Sequence, residues 1–469
     1  MTSRPDAARE APWGARFIGR LEARGSYPTW VLLAALSGMF ASTFPITILT
    51  VSLASIAREF GTRETTMAWV IAAPMLISAV ALPLLGKLGD LRGHRRVFLL
   101  GTAAATATAV ATSFAWSPVA LIALRTLAAT LGGATQPTAM ALIFSVTPRE
   151  QRVRAMGWWS MTAAGAPALG LAVGGPLVDW FGWRIVFAMQ AGFSFLAFAL
   201  AFAVLRETPP RRVRFDVAGA LALALGVAGF MFALGQVRER GFASPWVLGS
   251  CAVGALGLAA FAPIERRVAA PLLPLALFRT RAFAAPIVAN ALTSASYMGA
   301  FVVAPFMLQH TFSLTIAATS GVLLLRTASY AFGSPFGGAL GERLGERSAA
   351  RIGCLVMAAS MAVLSLAALA SSFWGVGVGL LLQGLGYGLG QPSISSAASN
   401  AADEADIGVA SAVSRLMGSV GSSFGVTLLT LIYGGVNAPR AFALAFGAGA
   451  VLAIGAIAAS AAMQRRKRS

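Results

Sequence analysis

The sequence is short of charge, histidine and cysteine. Asp, Glu, Lys and Arg make up 11% of its 469 residues, where a soluble domain carries about 25%. The same chain is 57% hydrophobic. One soluble core could not hide that much apolar surface. Cys251 and Cys354, the two cysteines, both fall within apolar runs, and there are two histidines. That leaves no disulfide framework and no metal-ligand spacing. There is no Ser–His–acid set and no nucleotide-binding glycine loop, so neither an enzyme nor a bound cofactor is expected. Acidic residues are missing where they matter most. Asp179, Asp216, Glu265, Glu342, Asp403, Glu404 and Asp406 stand at the ends of apolar runs or between them, and none lies inside one.

What is present in abundance is apolar runs of about 20 residues, each long enough to cross a bilayer core about 30 Å thick. They do not alternate with polar residues as the strands of a β-barrel would. The sequence predicts an all-α integral membrane protein of about 14 transmembrane helices. The expected spans are 29–56, 66–88, 97–115, 118–143, 154–178, 184–205, 216–236, 245–263, 283–309, 316–340, 350–370, 373–395, 408–433 and 441–463. The first 27 residues are polar and Arg-bearing, and the first apolar run is long enough to span. No cleavable leader is therefore expected.

The net charge of +19 does not point to nucleic acid, because the basic residues are scattered between the spans. With the N-terminus inside the cell, the inner segments hold 27 Lys and Arg and the outer loops 6. That asymmetry predicts a multi-pass protein of the cell membrane with both termini cytoplasmic. Trp30, Trp69, Trp116, Trp158, Trp180, Trp183, Trp246 and Trp374 fall near expected span ends, where amphipathic rings settle at the interface.

The chain also repeats itself. Gly86, Asp90, Gly93 and Arg95 recur in register as Gly338, Glu342, Gly345 and Arg347, at an offset of 252. Gln136-Pro137 recurs as Gln391-Pro392, at an offset of 255. Such an offset corresponds to about eight helices: a six-helix repeat unit plus an inserted pair. Internal repeats with a site between them mark secondary transporters. The expected organisation is a cytoplasmic tail over 1–28, a six-helix half over 29–205 and a linker with two inserted helices over 206–282. A second six-helix half over 283–463 and a basic tail over 464–469 complete it.

In "GKLGDLRGHRRVFLLG", Gly86, Leu88, Asp90, Gly93, Arg95 and Arg96 resemble the loop 2–3 signature of the major facilitator superfamily. Arg125, Gly132 and Pro137 resemble its fourth-helix signature. Gly165, Gly170, Gly174 and Gly175, with Pro167, resemble the fifth-helix antiporter motif. The likeness spans nearly the whole chain and is closest to the 14-helix drug:proton antiporter branch. It implies efflux of small amphipathic molecules by alternating access of two rocking halves, with protons as the coupling ion and the lipid bilayer as surroundings. A monomer is expected. It makes Gly86, Asp90, Arg92, Gly93, Arg95 and Arg96, with Glu342, Gly345 and Arg347, a cytoplasmic gate; the alternative is that these charges only set topology. It makes Gly165, Pro167, Gly170, Gly174 and Gly175 a hinge; the alternative is close helix packing. The chain departs from the pattern in its first span, where Pro45 occupies the place of the family's Asp.

Three arginines, Arg125, Arg326 and Arg415, lie inside expected spans. An ionisable residue there is a functional candidate by default; snorkelling or a structural role is the alternative. They are candidate substrate-binding residues, with Gln136, Asn290 and Tyr297. Asn290, Ser294 and Tyr297 share one face of the ninth helix by their spacing. Arginines without acidic neighbours leave a second reading open: a carrier of organic anions or carboxylates that does not use the first-helix Asp. His310 is a lone histidine at an outer helix end.

Overall fold

The computed structural model describes residues 13–62, 64–67, 69–208, 216–268, 275–403, 406–434 and 438–464. Residues 1–12 of the expected N-terminal tail and 465–469 of the basic tail lie outside the described residues. No strand occurs among the described residues.

A first group of helices comprises α1 (Trp13–Ala23), α2 (Tyr27–Glu59), α3 (Glu64–Met67), α4 (Trp69–Arg92), α5 (His94–Ser113), α6 (Pro118–Gly133), α7 (Thr135–Val146), α8 (Arg152–Phe181) and α9 (Arg184–Val204). Two helices follow, α10 (Val217–Arg240) and α11 (Pro245–Arg267), then the short α12 (Leu275–Arg279). The last group is α13 (Arg281–Phe312), α14 (Ile316–Leu344), α15 (Glu346–Leu369), α16 (Phe373–Asn400), α17 (Ile407–Tyr433) and α18 (Pro439–Ala461). Among the described residues, nine helical segments are long and apolar enough to cross a membrane, with α6 and α7 counted together.

Local chemistry sets many of the helix ends. Ser117 opens α6 by accepting the Ala120 N–H at 3.1 Å, ahead of Pro118 in the first helical position. Ser372 and Asp216 cap α16 and α10 in the same way. Such caps satisfy backbone donors that have no partner within the helix. Gly93 between α4 and α5 and Gly345 between α14 and α15 have φ of 96° and 85°. Only glycine adopts that conformation without strain, so the repeated glycine marks the same turn twice.

Two expectations need adjusting. The tail expected over 1–28 holds a helix, α1, whose Ile18 and Leu21 are buried against the first group. The span expected over 118–143 is broken at Ala134 into α6 and α7, two residues ahead of Gln136-Pro137. Proline lacks the N–H that would continue the ladder. The matching Gln391-Pro392 lies within the unbroken α16.

The first group packs on itself chiefly through α2 on α8 and α9, α5 on α9, and α6 on α4 and α5. The last group packs through α13 on α17 and α18, and through α16 on α14 and α15. Each has its own buried apolar core. The pair α10 and α11 touch backbone to backbone: a Cβ on Gly257 would sit 2.5 Å from the Gly226 nitrogen, and one on Gly229 2.6 Å from the Gly254 nitrogen. Leu100, Phe195, Leu256, Phe336 and Val451 point outward, each more than 60% exposed. An apolar exterior of this kind fits lipid and not water. Trp116, Trp180 and Trp374, at helix ends, are more than 75% exposed.

Candidate functional site

The two groups meet most closely at the end of the molecule that carries the Gly86–Arg96 and Gly338–Arg347 segments, here the basic end. α8 and α14 approach through glycine. A Cβ on Gly157 would lie 2.8 Å from the Ser334 carbonyl oxygen, and one on Gly338 3.0 Å from that of Val153. α4 meets the start of α17 in the same way, with the Gly86 position 3.1 Å from the Gly408 carbonyl oxygen.

Asp90 is buried in this contact. Its Oδ1 lies 3.2 Å from His94 Nε2, and Gly408 leaves room for both side chains: a Cβ there would be 2.7 Å from Asp90 Oδ1. Arg95 and Arg96 turn away from the seam. Arg95 donates to the Phe202 carbonyl at 3.1 Å, and Arg96 Nε lies 3.5 Å from Glu207 Oε2. Arg92 is exposed and Arg347 half-buried. Glu342, half-buried, crosses the seam to the exposed Arg154 at 4.0 Å.

The best-made bridge involves residues that spacing did not single out. Arg152 is 3% exposed. Its guanidinium donates to Asn400 Oδ1 at 2.9 Å, to the Phe144 carbonyl at 2.9 Å and to the Thr147 carbonyl at 3.3 Å. Asn400 donates in turn to Glu346 Oε1 at 2.8 Å, which also accepts from Ser396 at 2.5 Å. The chain Arg152–Asn400–Glu346 thus ties α8 to α16 and α15. A basic residue just after a break between spans is its only signal in the sequence.

Of the antiporter-motif residues, Gly165 has open space where a side chain would stand. α8 runs unbroken past Pro167, Gly170, Gly174 and Gly175. Gly157 of α8 touches the other group.

Between the groups, deeper than the basic end, are two cavities. One, of about 200 Å³, is bounded by Trp159, Tyr330, Tyr387, Asn290, Gln391 and Arg415, with serines of α17. The other, of about 400 Å³, has walls of Ala41, Leu49, Val70, Ile71, Ala105 and Met298, with Arg125 and Gln136 among its polar positions. Arg415, Ser419 and Ser422 line both.

The six residues expected around a substrate therefore separate. Asn290 reaches the smaller cavity and donates to the Ser414 carbonyl at 2.7 Å, while its Oδ1 accepts from Gln391 at 3.1 Å. Gln136 and Arg125 reach the larger one. Arg125 donates to Gln190 Oε1 at 3.2 Å and lies over the Phe187 ring. Tyr297 and Arg326 line neither. Arg326 is 2% exposed, with its guanidinium carbon 3.5 Å from the Tyr297 ring centre and 4.4 Å from that of Phe301. It also donates to the Tyr297 carbonyl at 3.1 Å. The Tyr297 ring stacks on that of Tyr387 at 4.0 Å, so this cluster stands behind the cavity wall. Arg415 differs from both: it makes no hydrogen bond or ion pair among the described residues, and it lies over the Trp159 ring at 5.9 Å. His310 is exposed at the end of α13.

A family model described as Major Facilitator Superfamily matches residues 35–264 and 287–469. The tetracenomycin C resistance and export protein of Streptomyces glaucescens is 29% identical over 413 residues, which cover 87% of this chain and 76% of that protein. The methylenomycin A resistance protein of Streptomyces coelicolor is 26% identical over 413 residues, 87% of this chain and 86% of that one. The multidrug resistance protein Stp of Mycobacterium tuberculosis is 28% identical, covering 85% and 74%. Among solved structures, the human organic anion transporter MFSD10 (TETRAN) superposes with a TM-score of 0.64 at 17% identity, over 95% of this chain and all of that one. That last likeness concerns the fold alone.

Proposed function

The chain belongs to the Major Facilitator Superfamily, and from that premise we propose that it exports small amphipathic molecules by alternating access. Membership makes it a membrane transporter, with relatives named for drug resistance and export. The observation that carries the finer reading is the pair of cavities between the helix groups, apolar-walled on one side and hydroxyl-rich on the other, beneath a packed basic end. A site between two groups that separate at one end and then the other is what alternating access requires.

In this reading the two groups are the six-helix halves, residues 29–205 and 283–463, and α10 and α11 are the inserted pair of a 14-helix carrier. Both termini are cytoplasmic, so the basic end faces the cytoplasm and the described conformation is closed on that side. Asp90, His94, Arg152, Asn400, Glu346 and the Glu342–Arg154 pair form the gate. Gly157, at the α8–α14 contact, is the glycine about which the seam opens. The cavities are complete within one chain, which favours a monomer. The chain moves its substrate and does not change it.

Proton coupling, which the resemblance implies, would need a titratable group at the edge of the spans, since no carboxylate lies in a span interior. Reconstitution tests the function as a whole. Purified protein in liposomes, loaded in turn with a cationic, a neutral and an anionic dye, is expected to move at least one of them faster than protein-free liposomes. Collapsing the pH gradient with nigericin then shows whether protons take part. Protein-independent movement of all three dyes would refute the exporter.

A further inference from the structure

Three guanidinium groups stand inside the spans, and the structure gives two of them hydrogen-bond partners, whereas Arg415 has only the Trp159 ring, 5.9 Å away. Arg125 has Gln190 and the Phe187 face. Arg326 has a backbone carbonyl and two aromatic faces. Arg415 has neither hydrogen bond nor ion pair among the described residues, and it belongs to the lining of both cavities. An arginine cannot shed its charge by deprotonation within the protein, and Arg415, half-buried at the cavity wall, keeps that charge facing the space where a ligand would sit. None of the chain's 17 acidic residues lies in the interior of an expected span, and no carboxylate among the described residues pairs with Arg415.

Resting on the exporter reading, we propose that the transported molecule is an amphipathic organic monoanion whose charge docks on Arg415, and that membrane potential drives its export. The neutral polar groups beside Arg415 suit an anionic head. Ser414 and Ser419 offer hydroxyl donors, while Ser422 already donates to the Gly418 carbonyl and Ser411 shares a hydrogen bond with Ser399; Asn290 and Gln391 are held in a hydrogen-bonded pair. The apolar walls of the larger cavity suit an apolar body. A head at Arg415 with a body reaching past Met298 would use both cavities at once.

The driving force follows from charge counting. With anion bound, the site is neutral when it crosses. Empty, it returns carrying the bare charge of Arg415, and a membrane that is negative inside pulls that cation back towards the cytoplasm. One negative charge leaves per cycle. A potential of 100 mV is worth about 2.3 kcal/mol per charge, which sustains a gradient of about fiftyfold. No proton and no titrating carboxylate is needed, which accommodates Pro45 at the place of the family's first-helix Asp.

The test uses the full chain and three probes of one size: naphthalene-1-sulfonate, its neutral sulfonamide, and a naphthyl trimethylammonium cation. Binding to the detergent-solubilised protein is measured by calorimetry. Flux is measured in liposomes with potassium and valinomycin setting the potential at equal pH on both sides. The sulfonate is expected to bind best. Arg415→Gln should weaken it about thirtyfold or more, as for loss of a charge-assisted contact, and leave the neutral probe within about twofold. Arg415→Lys should restore part of the loss. Sulfonate should accumulate on the positive side when a potential is applied and run down when valinomycin acts at equal potassium. Equal sulfonate binding by wild type and Arg415→Gln overturns the anion site, as does preference for the cation. Accumulation that ignores potential and follows a pH gradient overturns the driving force. If the protein binds the sulfonate through Arg415 yet moves no probe, the exporter reading fails and the anion site stands. Arg326→Ala serves as a control for general damage: a loss equal to that of Arg415→Gln, for all three probes, overturns the assignment to Arg415.

Discussion

The two copies of the loop signature share a backbone and differ in what their side chains do. Gly93 and Gly345 take the same positive-φ turn between consecutive helices. In the first copy the acid, Asp90, is buried against His94 and the start of α17. In the second the matching acid, Glu342, is only half-buried, its side chain 31% exposed against 2% for Asp90, and faces Arg154 at 4.0 Å. The buried polar work of the second copy falls to Glu346, four residues on, through Asn400 to Arg152. A duplicated turn thus fixes where a loop goes. Which of its charges is buried depends on the helix from the other group that lands on it.

Substitutions at the seam test that contrast. The largest effect is expected from Gly338→Val. Its side chain would meet the backbone of Val153, Arg154 and Gly157 at about 3 Å, and backbone cannot step aside as a flexible side chain can. The basic end should then fail to close, and transport per molecule should fall at least a hundredfold with insertion preserved. Cysteine accessibility of the cavity from the cytoplasmic side would check this; an unchanged accessibility would mean that the α8–α14 contact is not the seam.

Arg152→Ala comes next. It leaves Asn400 and two backbone carbonyls without their buried donor, a loss of about 3 kcal/mol. In detergent, a thermal melt should show a clear drop in midpoint, and Asn400→Ala should reproduce most of it. A melt unmoved by either change would remove this bridge from the account.

Asp90→Asn keeps the shape and removes the charge beside His94. Insertion and abundance should be normal while flux per molecule in liposomes falls about tenfold, equivalent to about 1.4 kcal/mol. Wild-type flux would leave these charges with a topological role only. The smallest effect belongs to Arg154→Ala. An exposed ion pair contributes about 0–1 kcal/mol, so flux should stay within about threefold of wild type. A larger loss than that of Asp90→Asn would invert the comparison between the copies.

Much of this is legible in the sequence. Apolar run length and the positions of Gly93 and Gly345 are local properties; the structure is helical along the expected runs and turns at both glycines, and nine segments among the described residues, against about 14 expected, are long and apolar enough to cross a membrane. Even so, α1 was hidden in a stretch that reads as a polar tail, because at 11 residues it is too short to span and Ile18 and Leu21 are interleaved with Arg16 and Arg20. The break at Ala134 shows why a hydropathy run cannot count helices by itself.

The site was less legible, for a single physical reason. What distinguishes Arg125, Arg326 and Arg415 is which groups surround each of them, and those groups come from other helices. Arg326 is enclosed by Tyr297 and Phe301 of α13, and Arg125 is met by Gln190 of α9. Nothing in the runs around them announces this. The same holds for Gly157 and Gly338, two glycines among many, which become the α8–α14 contact only when their helices cross.

The most direct test of alternating access is a spin-label distance across the basic end. Labels at Leu91→Cys and Arg343→Cys, with Cys251 and Cys354 replaced by Ser, report on the two groups in lipid. Two distance populations are expected: a short one matching the closed seam and a longer one, with their ratio shifted by a transported substrate. One distance, unmoved by any substrate that the same preparation transports, would contradict the rocking of the two groups.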